Sequence, residues 1–75
     1  MELRDKTIKK LGLKIRQMRE AAALSQESLA EKANLDVTYV SGIERGLRNP
    51  SVLTLLALAE GLNTTASKLL EDISG

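Results

Sequence analysis

Side chains able to donate or accept hydrogen bonds are concentrated in one stretch. Ser25, Gln26, Thr38, Tyr39, Ser41, Arg45, Arg48 and Asn49 fall within 25 positions. They offer hydroxyls, amides and guanidinium groups, but none stands beside a base that would make a hydroxyl nucleophilic. The chain has no cysteine and no histidine, so there is no thiolate or imidazole for a metal, no disulfide and no His-assisted nucleophile. Its carboxylates are scattered among lysines, and 75 residues leave little room for a substrate pocket. The chemistry on offer is recognition. No enzymatic activity, cofactor, metal or small-molecule ligand is expected.

The elements that must hold these groups follow from composition and periodicity. A chain of this length makes one domain and hides about 60% of the surface its unfolded form exposes. Of the 43% hydrophobic residues, 14 are leucine and 8 alanine, and Tyr39 is the only aromatic. Strands favour β-branched and aromatic residues, so the expected class is all-α. No apolar run approaches the ~20 residues needed to span a bilayer, and a cytoplasmic protein without a membrane role is expected. The net charge of +1 conceals a gradient. Residues 1–20 carry seven cations against three carboxylates, a balance of +4, whereas residues 51–75 carry one cation against three carboxylates, a balance of −2. Such a field orients a small body on a polyanion.

Five helical segments are predicted. Ile8, Leu11, Ile15, Met18 and Ala22 recur at steps of three and four and give one apolar stripe on a basic helix. Ser25 is a good N-cap for a second helix, Gln26 to Ala33, that turns Leu29, Ala30 and Ala33 inward. Asn34 accepts a left-handed turn, Asp36 caps a third helix to about Arg45, and Gly46 fits past its end. Pro50 and Ser51 open a fourth helix, about Val52 to Leu62, burying Leu55, Leu58, Ala59 and Leu62. Asn63-Thr64-Thr65 breaks it before a last segment carrying Ala66, Leu69, Leu70 and Ile73.

The second and third helices meet the packing needs of a helix-turn-helix over about residues 26–45. Ala30 is the small residue required where the two cross, and Asn34 supplies the turn. Val40 and Ile43, three apart, turn inward, with Leu29 and Leu35 completing the wedge. In such a unit the second helix can enter a major groove.

With these residues in place the chain resembles the Xre/Cro-like helix-turn-helix family of bacterial and phage regulators. The resemblance runs from about Ile8 to Ile73. It is carried by Ile15-Arg16-Gln17-Met18-Arg19-Glu20, Leu24-Ser25-Gln26-Glu27-Ser28-Leu29-Ala30, Ser41-Gly42-Ile43-Glu44-Arg45-Gly46 and Arg48-Asn49-Pro50-Ser51. The run from Leu35 to Gly46 looks most like the controller proteins of restriction–modification systems. The resemblance implies a compact five-helix bundle of the lambda-repressor-like type that binds double-stranded DNA as a two-fold homodimer.

Roles carry over where residues match. The resemblance implies phosphate contacts for Ser25 and Gln26 at the start of the second helix, where the helix dipole favours an anion, and for Arg45, Arg48 and Asn49. It implies base contacts for Val37, Thr38, Tyr39, Ser41 and Gly42. Thr38 and Ser41 can donate to or accept from a base edge. Valine at position 37 departs from the controller pattern, where arginine is common, and cannot make the bidentate guanine contact. Part of the selectivity is therefore expected from DNA shape. Tyr39 has two readings, core packing under the loop or a hydroxyl and ring turned to DNA, of which the second is preferred.

Arg19 and Glu44 match a family ion pair joining the first helix to the third and are assigned to structure. Relatives commonly place glycine where this chain has Ala23; a positive φ there would strain alanine by about 1–2 kcal/mol, so either the first helix is expected to continue into Ala21-Ala22-Ala23 or the joint is expected to differ. Ala66, Leu69, Leu70 and Ile73 are more apolar than a bundle edge needs and are expected to form the dimer interface, within about residues 63–75, the alternative being that all four close the monomer core. The expected function is a sequence-specific transcriptional regulator on a pseudo-palindromic operator. The alternatives are the antitoxin of a toxin–antitoxin pair and a helical protein–protein module without DNA binding.

Overall fold

The computed structural model describes residues 2–73 of the chain. Five helices follow one another: α1 Leu3–Ala21, α2 Gln26–Ala33, α3 Val37–Glu44, α4 Val52–Gly61 and α5 Ala66–Leu69. There is no strand among the described residues.

Local signals set where these helices start. Ser25 Oγ accepts from Ser28 N at 3.0 Å, Asp36 Oδ1 from Thr38 N at 2.8 Å, Ser51 Oγ from Thr54 N at 3.1 Å and Thr65 Oγ1 from Lys68 N at 3.2 Å. Each bond satisfies a helix-terminal N–H and contributes about 1 kcal/mol. The first four helices also end alike, with a left-handed residue followed by a backbone N–H that reaches back five positions. The closing bonds are Leu24 N to Arg19 O, Leu35 N to Ala30 O, Leu47 N to Gly42 O and Thr64 N to Ala59 O, at 2.8–3.1 Å. The left-handed residues are Ala23, Asn34, Gly46 and Asn63, at φ of 59°, 56°, 74° and 57°. Glycine and asparagine adopt that region readily and alanine does not. The first helix does not continue into Ala22 and Ala23; α1 ends at Ala21 and Ala23 itself takes the left-handed turn.

The core is built from every helix: Leu11 and Ile15 of α1, Leu29, Ala30 and Ala33 of α2, Val40 and Ile43 of α3, Leu55, Leu58 and Ala59 of α4, and Leu69 of α5. Gly12 lets α1 lie directly on the end of α3. A Cβ there would stand 2.3 Å from the Ile43 carbonyl oxygen and 2.8 Å from that of Glu44.

Some expected bounds move. The first helix starts at Leu3, five residues before its apolar stripe, and Ala22 lies exposed past its end. The third and fourth helices stop one residue early, with Arg45 and Leu62 as caps. Only Ala66–Leu69 of the last segment is helical, because the chain turns from Leu70 onward and Asp72 takes a φ of 64°.

Candidate nucleic-acid interface

Helix α3 is presented outward by α2. Ala30 is buried beneath it, Asn34 turns the chain, and Val40 and Ile43 anchor its inner side. Its outer side carries Val37 and Thr38, both exposed, and Ser41, half-buried. The Thr38 hydroxyl donates to Asp36 Oδ1, which the Thr38 N–H also reaches. These bonds hold the Asp36 carboxyl below the usual carboxylate range. With its proton committed to Asp36, the exposed hydroxyl keeps its capacity to accept.

The far end of α3 is fixed by charge. Arg19 Nε donates to Glu44 Oε2 at 2.7 Å and Nη2 donates to Oε1 at 3.0 Å. Arg19 Nη1 donates to the Leu24 carbonyl at 2.7 Å. The two side chains are only 11% and 2% exposed. The hydrogen bond to Glu44 raises the Arg19 pKa further above its already high value, against the opposing effect of burial. One pair thereby ties α1, the α1–α2 joint and α3.

Gln26, expected at a phosphate, is engaged within the chain: its Nε2 donates to Glu44 Oε1 at 3.0 Å as a third arm of the ion pair. Gly42 was expected on the DNA-facing surface, but it is buried under the Arg48 side chain, whose Cγ lies 2.7 Å from where a Cβ would be. Ser25 is exposed, and its hydroxyl serves the α2 cap and donates to Ser28 Oγ at 2.9 Å. Arg45 is exposed with Nε leaning on the Ser41 carbonyl at 3.4 Å, and Asn49 is exposed in the loop before α4.

Tyr39 packs as its core reading expects. Its ring is half-buried against the core, its hydroxyl lies 3.4 Å from Thr54 Oγ1, and the Arg48 guanidinium carbon lies 5.7 Å from its centroid. Thr54 is a site neighbour that the sequence reading missed. Its only signal was its place three residues after the Ser51 cap, whose hydroxyl reaches it at 3.0 Å.

The expected dimer residues divide. Leu69 and Ile73 are 0% and 6% exposed and close this chain's own core, so they are not free for a second copy. Ala66 is half-buried and Leu70 is 45% exposed. Periodicity identified an apolar segment without saying what would cover it. The larger uncovered surface lies on α4, where Val52, Leu53 and Leu56 are 72%, 78% and 50% exposed on one side. Residues 74 and 75 of the segment assigned to dimerisation lie outside the described residues. No described helix is long and apolar enough to cross a membrane.

Comparison with known proteins agrees with this geometry. Residues 15–69 match the helix-turn-helix family HTH_3. The chain is 45% identical over 65 residues to the control protein C.MunI of a Mycoplasma species, covering 85% of this chain and 88% of that protein. It is 45% identical over 60 residues to the control protein C.SmaI of Serratia marcescens, covering 80% and 71%. Among solved structures, the restriction-modification controller protein C.AhdI from Aeromonas hydrophila superposes with a TM-score of 0.81 at 44% identity, covering 83% of this chain and 94% of that one. The chain belongs to the helix-turn-helix family of DNA-binding transcriptional regulators, not to a family of enzymes, and resembles its restriction–modification controller proteins.

Proposed function

We propose that the chain binds double-stranded DNA as a homodimer on a pseudo-palindromic operator and controls transcription of a restriction–modification system. The observation that carries this reading is the outward side of α3, where exposed Val37 and Thr38 and half-buried Ser41 form a strip flanked by Arg45, Arg48 and Asn49. Hydroxyl and methyl groups on such a strip suit base edges, and the flanking cations and amide suit phosphates. The first turn of α2, with Ser25 and Gln26 at its start, offers a further phosphate site through the helix dipole. Dimerisation uses the α4 side bearing Val52, Leu53 and Leu56, together with Leu70. A two-fold dimer sets the paired α3 helices about 34–36 Å apart, one turn of the duplex.

Selection of bound sequences from a random duplex pool tests the reading. The expected product is a palindrome with half-sites one turn apart, bound with a logarithmic affinity that falls linearly with logarithmic salt concentration. A selected set with no symmetric element, or a flat salt response, overturns it.

A further inference from the structure

Gly42 sits inside an eight-residue helix, where glycine is the poorest choice short of proline. Its backbone is ordinary helix rather than left-handed, so conformation gives no reason for it. The space beside it does. A Cβ on Gly42 would stand 2.7 Å from Arg48 Cγ and 3.8 Å from its Cβ and Cδ. The stem of the arginine thus crosses α3 through a notch that any side chain would fill. Beyond the notch the guanidinium reaches Tyr39, at 5.7 Å from the ring centroid. The ring is itself held between the core and Thr54 of α4.

We infer that Gly42 is a positioning residue for Arg48: its missing side chain forms the notch that lays the arginine across α3 and brings its guanidinium onto the Tyr39 ring. The functional consequence rests on α3 being the DNA-facing helix. An arginine free in a loop loses rotamer freedom when it meets a phosphate or base edge. One already laid in a groove and held by an aromatic face has lost much of that freedom beforehand. Gly42 then acts on DNA only through Arg48.

Two readouts of Gly42→Ala test this. Tyr39 is the sole aromatic, so any ring-current shift on the Arg48 side-chain protons arises from it. The wild-type protein is expected to show upfield-shifted Arg48 δ-protons, and Gly42→Ala is expected to lose the shift while its melting temperature stays level or rises, since alanine is the better helix former. On the operator, Gly42→Ala is expected to weaken binding about tenfold, on the scale of one charge-assisted hydrogen bond, and to cost nothing further in an Arg48→Ala background. Retention of the shift, a lowered melting temperature, unchanged affinity, or a penalty that persists without Arg48 would each overturn the inference. A wild-type protein that binds no duplex refutes the DNA reading alone, and the proton shifts still decide where Arg48 lies.

Discussion

Arg19 and Glu44, 25 positions apart, close a two-point pair with contacts of 2.7 and 3.0 Å, and Gln26 adds a third bond to the same carboxylate. The carboxylate closes the last turn of α3, so three helices meet at one group. Glu44→Ala leaves the guanidinium and the Gln26 amide without their shared acceptor at a largely buried site, where the Arg19 and Glu44 side chains are 11% and 2% exposed. The expected loss is about 3–5 kcal/mol in urea unfolding, against at most about 1 kcal/mol for an exposed pair. Glu44→Gln, which keeps an acceptor for Gln26, is expected to lose less. Equal small losses for both variants would mean that water reaches the pair.

The joint between α1 and α2 gives a prediction of opposite sign. Ala23 holds a φ of 59° in the position that Asn34, Gly46 and Asn63 fill at the other helix ends. Left-handed alanine is strained by about 1–2 kcal/mol, and glycine returns part of the gain through the entropy of the unfolded chain. Ala23→Gly is expected to stabilise the fold by about 0.5–1 kcal/mol, raising the melting temperature by about 2–8 °C. Gly46→Ala is the converse. It introduces the same left-handed strain at a φ of 74° and is expected to lower the melting temperature. A drop on Ala23→Gly would show that the joint is not strained.

Asp36 provides the pH dependence. Its carboxyl is held low by two bonds from Thr38, so the native state prefers the ionised form more than the unfolded chain does. The stability this adds is present above the unfolded aspartate value near 4 and disappears as pH falls through the lower native value. Asparagine is an equally good N-cap without the charge. Asp36→Asn is therefore expected to melt with less sensitivity to pH in the window below about 4, with α3 still formed at neutral pH. Identical acid limbs for variant and wild type would remove the Thr38–Asp36 bonds from the account.

Signals carried by neighbouring residues were legible in the sequence, and contacts between distant ones were legible only in part. Ser25, Asp36 and Ser51 announce helix starts because a cap and its N–H lie two or three residues apart. Val40 and Ile43 declare an inner side through their spacing. Gly12, inside an apolar stripe, looks like a neutral spacer until α3 lies against it, and Gly42 looks like open surface until Arg48 folds back across it. Gln26 matched a phosphate-binding position, but its amide meets a carboxylate that the sequence had already paired with Arg19. The end of the chain shows the same gap: periodicity marked Leu69, Leu70 and Ile73 as apolar alike, and only the tertiary structure shows that the first and last are interior.

That division makes the dimer testable without confusing association with folding. Leu53 and Leu56 stand uncovered on α4 while Leu69 is fully enclosed, so charge on the first two and truncation of the third have different consequences. Leu53→Glu combined with Leu56→Glu leaves the core untouched and adds no buried polar group. The helical signal is expected to persist while sedimentation moves from dimer to monomer. A monomer holds one α3 helix, so its affinity for the full palindrome should fall to that for an isolated half-site. Leu69→Ala empties part of the core and is expected to lower stability by about 2–5 kcal/mol, with dimerisation lost only as the chain unfolds. If the double glutamate variant remains dimeric, the α4 side is not the interface, and the two-fold arrangement on DNA must be built from another surface.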